Sequence, residues 1–138
     1  MREILFRGRN ENSTWIYGSL LVDKDTFDKN AFIYYICDID GYSTEIVNTK
    51  TIGQFTGLND KNGTKIFEGD IVKGKSEYFG NGSLNQKAVV LYDRGQFLLS
   101  FGETFEECKQ LNDFEVVGVW NGDVEVIGNV HDNPELLK

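Results

Sequence analysis

Apolar and polar positions alternate with a period of two through most of the chain, the spacing of half-buried β-strands. "EILFRG" near the N-terminus and "TWIYGSLLV" at Thr14 to Val22 are strand-like, and the polar "RNENS" between them predicts a hairpin. "DKDTFDKN", Asp23 to Asn30, reads as a charged connection with room for one helical turn. "AFIYYIC", Ala31 to Cys37, loses the alternation, which predicts a strand buried on both faces or lying in an interface. "DIDGYS" turns the chain, and "TEIVNTKTIGQF" continues with β-branched residues. No segment from Met1 to Phe101 holds a helical period.

The stretch "GLNDKNGTKIFEGD", Gly57 to Asp70, gathers acids and amides around glycine, as calcium loops do. The register argues against that use. With Gly63 at the sixth position of a calcium loop, Leu58 and Gly69 occupy the two terminal ligand positions, and neither side chain coordinates. An Asn-Gly pair between strand-like runs instead marks a hairpin turn. "EGD", Glu68 to Asp70, predicts a second turn or bulge at Gly69. "SEYFGNGSLNQ", Ser76 to Gln86, reads as a mobile loop. "KAVVLYDRGQFLLSF" is a hairpin turning at "DRG", and "GETFEECKQL" spaces Phe105, Cys108 and Leu111 for a two-turn helix. "FEVVGVW", a turn at "NGD", and "VEVIGNV" read as the last hairpin, and Asn133-Pro134 starts a helical turn at "PELL". Seven to ten short strands with turns every ~8–12 residues suggest a barrel or sandwich.

Composition agrees: 10 Phe, 6 Tyr and 15 Gly with a single Pro in 138 residues suit a small β domain with a real core. The N-terminus has no signal-peptide core, and "AFIYYIC" is far short of a membrane span, so a cytoplasmic protein is expected. Cys37 and Cys108 stand far apart and read as small buried groups rather than a redox pair.

Charge changes the picture more. The net charge is −8, and from Phe101 onward two basic residues face nine acidic ones. Such a surface repels phosphate backbones and attracts basic partners. Only Arg2, Arg7 and Arg9 near Trp15, with Phe6 and Tyr17, and Lys73 and Lys75 on a possible rim, offer the basic and aromatic mix that holds single strands in small barrels. The same residue types build protein interfaces, and the acidic balance ranks that reading first.

Catalytic patterns are sparse. His131 is the single histidine, no complete nucleophile, metal or phosphate-loop spacing occurs, and Glu68 and Asp70 are separated by a glycine bend. A hydrolase or metal enzyme built on His131 is the third option. No cofactor, metal or catalytic residue is expected.

Four stretches together resemble the YopX family of phage and prophage proteins: "REILFRG…WIYG", "TIGQFTGLNDKNGTKIFEGDIVKG", "AVVLYDRGQFLLSF" and "EVIGNVHDNPELL". The resemblance runs nearly end to end. It implies a mainly β fold with a small barrel in the C-terminal part, which "GDIV" followed by the "VVLYDRGQFLL" hairpin likens to SH3-like barrels. It also implies a phage or prophage origin and expression in the cytoplasm of a bacterial host, and it supplies no catalytic residues. The expectation is one domain over 1–138, divisible into N-terminal strands (1–50) and a small barrel (51–138). Its expected role is a non-catalytic module that binds itself or a host protein, with single-stranded nucleic acid as the alternative.

Overall fold

A computed structural model describes residues 2–41, 43–74, 86–110, 116–117 and 124–137. Among the described residues the fold is mostly β: eleven strands, one short helix and two 3-10 turns. The chain divides into two compact units, Met1–Phe55 and Thr56–Lys138. Among the described residues no helix is long and apolar enough to cross a membrane.

In the first unit the strands are β1 (Phe6–Arg9), β2 (Trp15–Lys24), β3 (Phe32–Asp38), β4 (Thr44–Ile46) and the start of β5 (Gly53–Asn59). They run antiparallel in the order β4-β3-β2-β1-β5. The β1–β2 hairpin forms where predicted. Asn10 closes its loop, the Oδ1 atom accepting from the backbone N–H groups of Asn12 and Thr14 at 3.0 and 2.9 Å, the local bonding that favours Asn at turns. Asp23 and Lys24 end β2, and the rest of the expected connection, Asp25 to Asn30, bends and turns rather than forming a helix; Asp25 Oδ1 accepts from Phe27 N at 2.8 Å and holds the bend.

The core of this unit is Ile16, Ile36 and Val47, flanked by Phe6, Leu20, Tyr34 and Ile52. Val47 seats closely on β1, where a Cβ at Gly8 would lie 3.0 Å from it. Gly18 is stricter: a Cβ there would fall 1.7 Å from the Cys37 carbonyl oxygen. The strand "AFIYYIC" is not buried on both faces within the single chain. Only Ile36 in it is fully buried, Phe32 is exposed, and the residues between them are half-buried.

The second unit contains the end of β5, then β6 (Lys65–Phe67), β7 (Asp70–Gly74), β8 (Gln86–Asp93), β9 (Gln96–Ser100), the helix α1 (Phe105–Lys109), β10 (Val116–Val117), β11 (Val124–Asn129) and a 3-10 turn at Pro134–Leu137. Five strands order as β10-β9-β8-β7-β11. The β8–β9 turn is the one predicted, with Arg94 and Gly95 both at positive φ (49° and 81°), the two-residue geometry that matches strand twist. α1 is shorter than expected at five residues; Thr104 caps it by accepting from Glu107 N at 3.2 Å, and Leu111 lies outside the described residues.

Both faces of this sheet are covered. Val72, Ala88, Val90, Leu99 and Val124 pack with Ile66 on one side. Ile71 and Val89 pack with Cys108, Val130 and Leu137 on the other. Burial on both faces explains why "DIV" and "AVVL" read as continuous apolar runs. It also removes the need for closure: β10 and β11 stand at opposite edges, and among the described residues they pair with β9 and β7 rather than with each other. Among the described residues the sheet is therefore not a closed barrel but a small β fold, and most of the last hairpin expected from "FEVVGVW" and "VEVIGNV" lies outside the described residues. The turn expected at "NGD" and all but Gln86 of the loop expected over Ser76 to Gln86 lie outside the described residues, and Gln86 begins β8.

Candidate functional site

The β1–β2 hairpin sorts its side chains by register. Arg7 opposes Tyr17 and Arg9 opposes Trp15, so these four share one face, while Phe6, Gly8 and Ile16 turn to the core. The Arg7 guanidinium carbon lies 4.6 Å from the centroid of a Trp15 ring, and that of Arg9 lies 5.7 Å away. Both distances are in cation–π range. Arg7 is buried at 5% exposure, so its charge is taken up inside the protein and the indole face it covers is partly occupied. Arg2 precedes β1 and is exposed. Lys73 belongs to the second unit, on β7 opposite Lys87 and Glu125, and Lys75 lies outside the described residues. The structure thus brings Arg7, Arg9 and Trp15 together, with Lys73 on a different unit.

Beside this face the first unit carries a cleft of about 620 Å³. The β1–β2 loop, Arg9 to Ser13, forms one wall and Thr44 to Asn48 the other. Asn10 reaches across, its Nδ2 donating to Glu45 Oε1 at 3.0 Å. Below it, Asn48 N donates to the Arg9 carbonyl at 2.8 Å, and Arg9 N donates to Thr51 Oγ1 at 2.8 Å. The lining is amide- and hydroxyl-rich, with two carboxylates (Glu11, Glu45), one guanidinium and the exposed Ile46. None of the cleft residues except Arg9 was among the sequence candidates. "RNENS" and "TEIVN" are polar enough to suggest a site, but 30 residues separate them and only the fold brings them together.

The acidic loop is a turn. Asp60 accepts the Gly63 N–H on its carbonyl at 3.0 Å, and Gly63 takes φ 83°, a type I turn closed by a left-handed glycine. The Asp60 carboxylate is fully engaged with backbone donors. Oδ1 accepts from Asn62 N at 2.8 Å and Thr64 N at 2.9 Å, and Oδ2 accepts from Val126 N at 3.0 Å. Burial alone would raise its pKa; the bonds from Val126, Thr64 and Asn62, with Lys61 nearby, outweigh burial and hold it below the ordinary carboxylate value. At the second turn Asp70, also buried, accepts from Phe67 N at 2.8 Å, while Gly69 takes φ 91°. Glu68 is half-buried in the same bend.

His131 stands half-buried against α1, edge-on to Phe105 with ring centroids 6.2 Å apart. Its backbone is held by Asn129, whose Oδ1 accepts from His131 N at 3.0 Å and Asp132 N at 2.9 Å. Among the described residues no group of three His, Cys, Asp or Glu is placed to hold a metal ion. Cys37 and Cys108 are both free thiols, the first half-buried and the second buried.

The family model described as YopX protein matches residues 5–138. Among solved structures, the chain is similar to the crystal structure of protein EF1440 from Enterococcus faecalis, at 24% identity with 100% of each chain covered and a TM-score of 0.56. At that identity the likeness speaks to the fold. No curated protein matches the chain.

Proposed function

The chain belongs to the YopX family, and from that premise we propose that it is a non-catalytic protein-interaction module whose first partner is a second copy of itself. One observation carries the reading: the outer half of the β2–β3 hairpin continues the core face into solvent. Leu20 opposes Ile36, Val22 opposes Tyr34 and Lys24 opposes Phe32, so these six share the face that begins at the buried Ile36. Along it, exposure rises to 52% at Val22 and 53% at Phe32, and Phe27 beyond is 98% exposed. Contiguous apolar surface of this kind marks association sites, and two-fold pairing of one patch with itself is the commonest way to cover it. The acidic side chains around α1 (Glu103, Glu106 and Glu107) are exposed and would keep such an assembly soluble or meet a basic host partner.

The nucleic-acid alternative is the weaker one. Arg7 is buried against the Trp15 ring and Arg9 lies over the same ring, so little of this patch faces a phosphate backbone, and the net charge of −8 opposes one.

Paired variants test the reading. Val22→Lys with Phe32→Glu should reduce the solution mass to that of a monomer while leaving the far-ultraviolet circular dichroism spectrum unchanged. Arg9→Glu should leave the mass as it was. Binding of a single-stranded oligonucleotide that falls steeply with salt and is lost in Arg9→Glu would move the assignment to nucleic acid.

A further inference from the structure

The cleft beside β4 has an architecture that the self-pairing face does not use. β4 is the outermost strand of its unit's order. Its bonds to β3 fix which backbone groups point inward: Ser43 O accepts from Asp38 N at 2.8 Å, and Val47 N donates to Tyr34 O at 3.0 Å. By alternation Ser43, Glu45 and Val47 face β3, so the N–H and C=O of Thr44 and Ile46 face away from it. Thr44 is exposed and Ile46 is 59% exposed, and both line the cleft. The next outward N–H, that of Asn48, is taken by the Arg9 carbonyl, so the open edge is the two donor–acceptor pairs of Thr44 and Ile46, a template for one short added strand.

We propose that this cleft binds an extended segment of another protein as an added antiparallel strand on β4, with a basic residue of that segment placed opposite Glu45. The partner's charge follows from the register. A strand added antiparallel would set two residues opposite Thr44 and Ile46 in hydrogen-bonded pairs and one residue opposite Glu45. Glu45 and Glu11 supply two carboxylates to the cleft, whereas the guanidinium of Arg9 lies over Trp15. A lysine or arginine opposite Glu45 is therefore favoured. A second copy paired two-fold in this register, centred on Glu45, is disfavoured, because it would put Glu45 directly opposite its own equivalent, a like-charge pair. The exposed Ile46 favours a β-branched neighbour. The site is separate from the β2–β3 face and stands or falls independently of self-association.

The probe is the capped peptide acetyl-TVKVT-amide, titrated into the full chain and followed by amide chemical shifts. The expected result is saturable shifts centred on Thr44, Glu45, Ile46, Asn10 and Asn12, with a dissociation constant on the order of 1 mM or tighter. N-methylation of both valines, which removes the two peptide donors aimed at β4, should weaken binding at least about tenfold. N-methylation of the lysine, whose N–H points away, should change it less than about threefold. Acetyl-TVEVT-amide should bind about tenfold more weakly than the lysine peptide to the native chain, and about equally to Glu45→Gln. Ile46→Pro, which deletes an outward donor but keeps the Val47 bond to β3, should bind as weakly as the native chain binds the N-methylvaline peptide. No saturable shifts, shifts centred elsewhere, or equal binding of the two N-methylated peptides would overturn the proposal. So would a drop to monomer mass in Ile46→Pro, which would assign the edge to a second copy of the chain.

Discussion

Gly18 has no room for a side chain, because the Cys37 carbonyl oxygen occupies the place a Cβ would take, 1.7 Å away. That obstacle is backbone in a hydrogen-bonded ladder and cannot rotate aside. Gly18→Ala should therefore cost about 1–3 kcal/mol or more, read as a lower denaturation midpoint. Asp60 makes a different prediction. Its folded pKa lies below the ordinary value, so the stability it contributes is present above the unfolded pKa of about 3.9 and is lost as the pH falls through the lower folded value. Asp60→Asn puts an amide donor or a weaker acceptor against Val126 N–H and should cost about 1–3 kcal/mol at pH 7. The gap between native and variant should narrow in urea titrations as the pH drops below about 4. The sequence made the turn legible, since Asn62-Gly63 and Gly69 are local signals. It could not show the bond from Asp60 to Val126, because 66 positions separate the two residues and no periodicity encodes a contact of that range.

Elements were legible where one short stretch contains its own cause. The β1–β2 and β8–β9 hairpins carry their turn residues with them, and Pro134–Leu137 carries its Asn-Pro start. The pairing of β11 with β7 was not legible, because a strand's choice of neighbour depends on which sheet face is still uncovered. Here β7 is buried on both faces and takes β8 on one side and β11 on the other. The cleft was missed for the same reason, its walls being joined only by bonds such as Asn10 to Glu45. At the C-terminal end of β11, Asn129 orders the chain into its final turn by accepting two backbone N–H groups and donating to Asp132 Oδ2 at 3.1 Å. Asn129→Ala should cost about 1 kcal/mol and speed amide exchange at His131 and Asp132 while leaving β1 to β4 unchanged. Loss of exchange protection throughout the chain would contradict that local role.

For the whole molecule, the sequence singled out "AFIYYIC" because it has more apolar side chains than one sheet face uses, and the structure leaves much of that strand half-buried or exposed. The arginines near Trp15 looked like a nucleic-acid patch in sequence because burial cannot be read there; Arg7 lies inside the fold. On the proposed function the β2–β3 face is covered by a second copy of the chain. The most direct measurement is light scattering on a size-exclusion column, with the native chain loaded over a concentration series reaching about 0.5 mM, where an association of about 5 kcal/mol or stronger is populated. The mass should rise with concentration toward twice the 15.7 kDa of one chain, and a Val22→Lys, Phe32→Glu variant should stay at the single-chain mass throughout. A native chain fixed at 15.7 kDa at every concentration would contradict it.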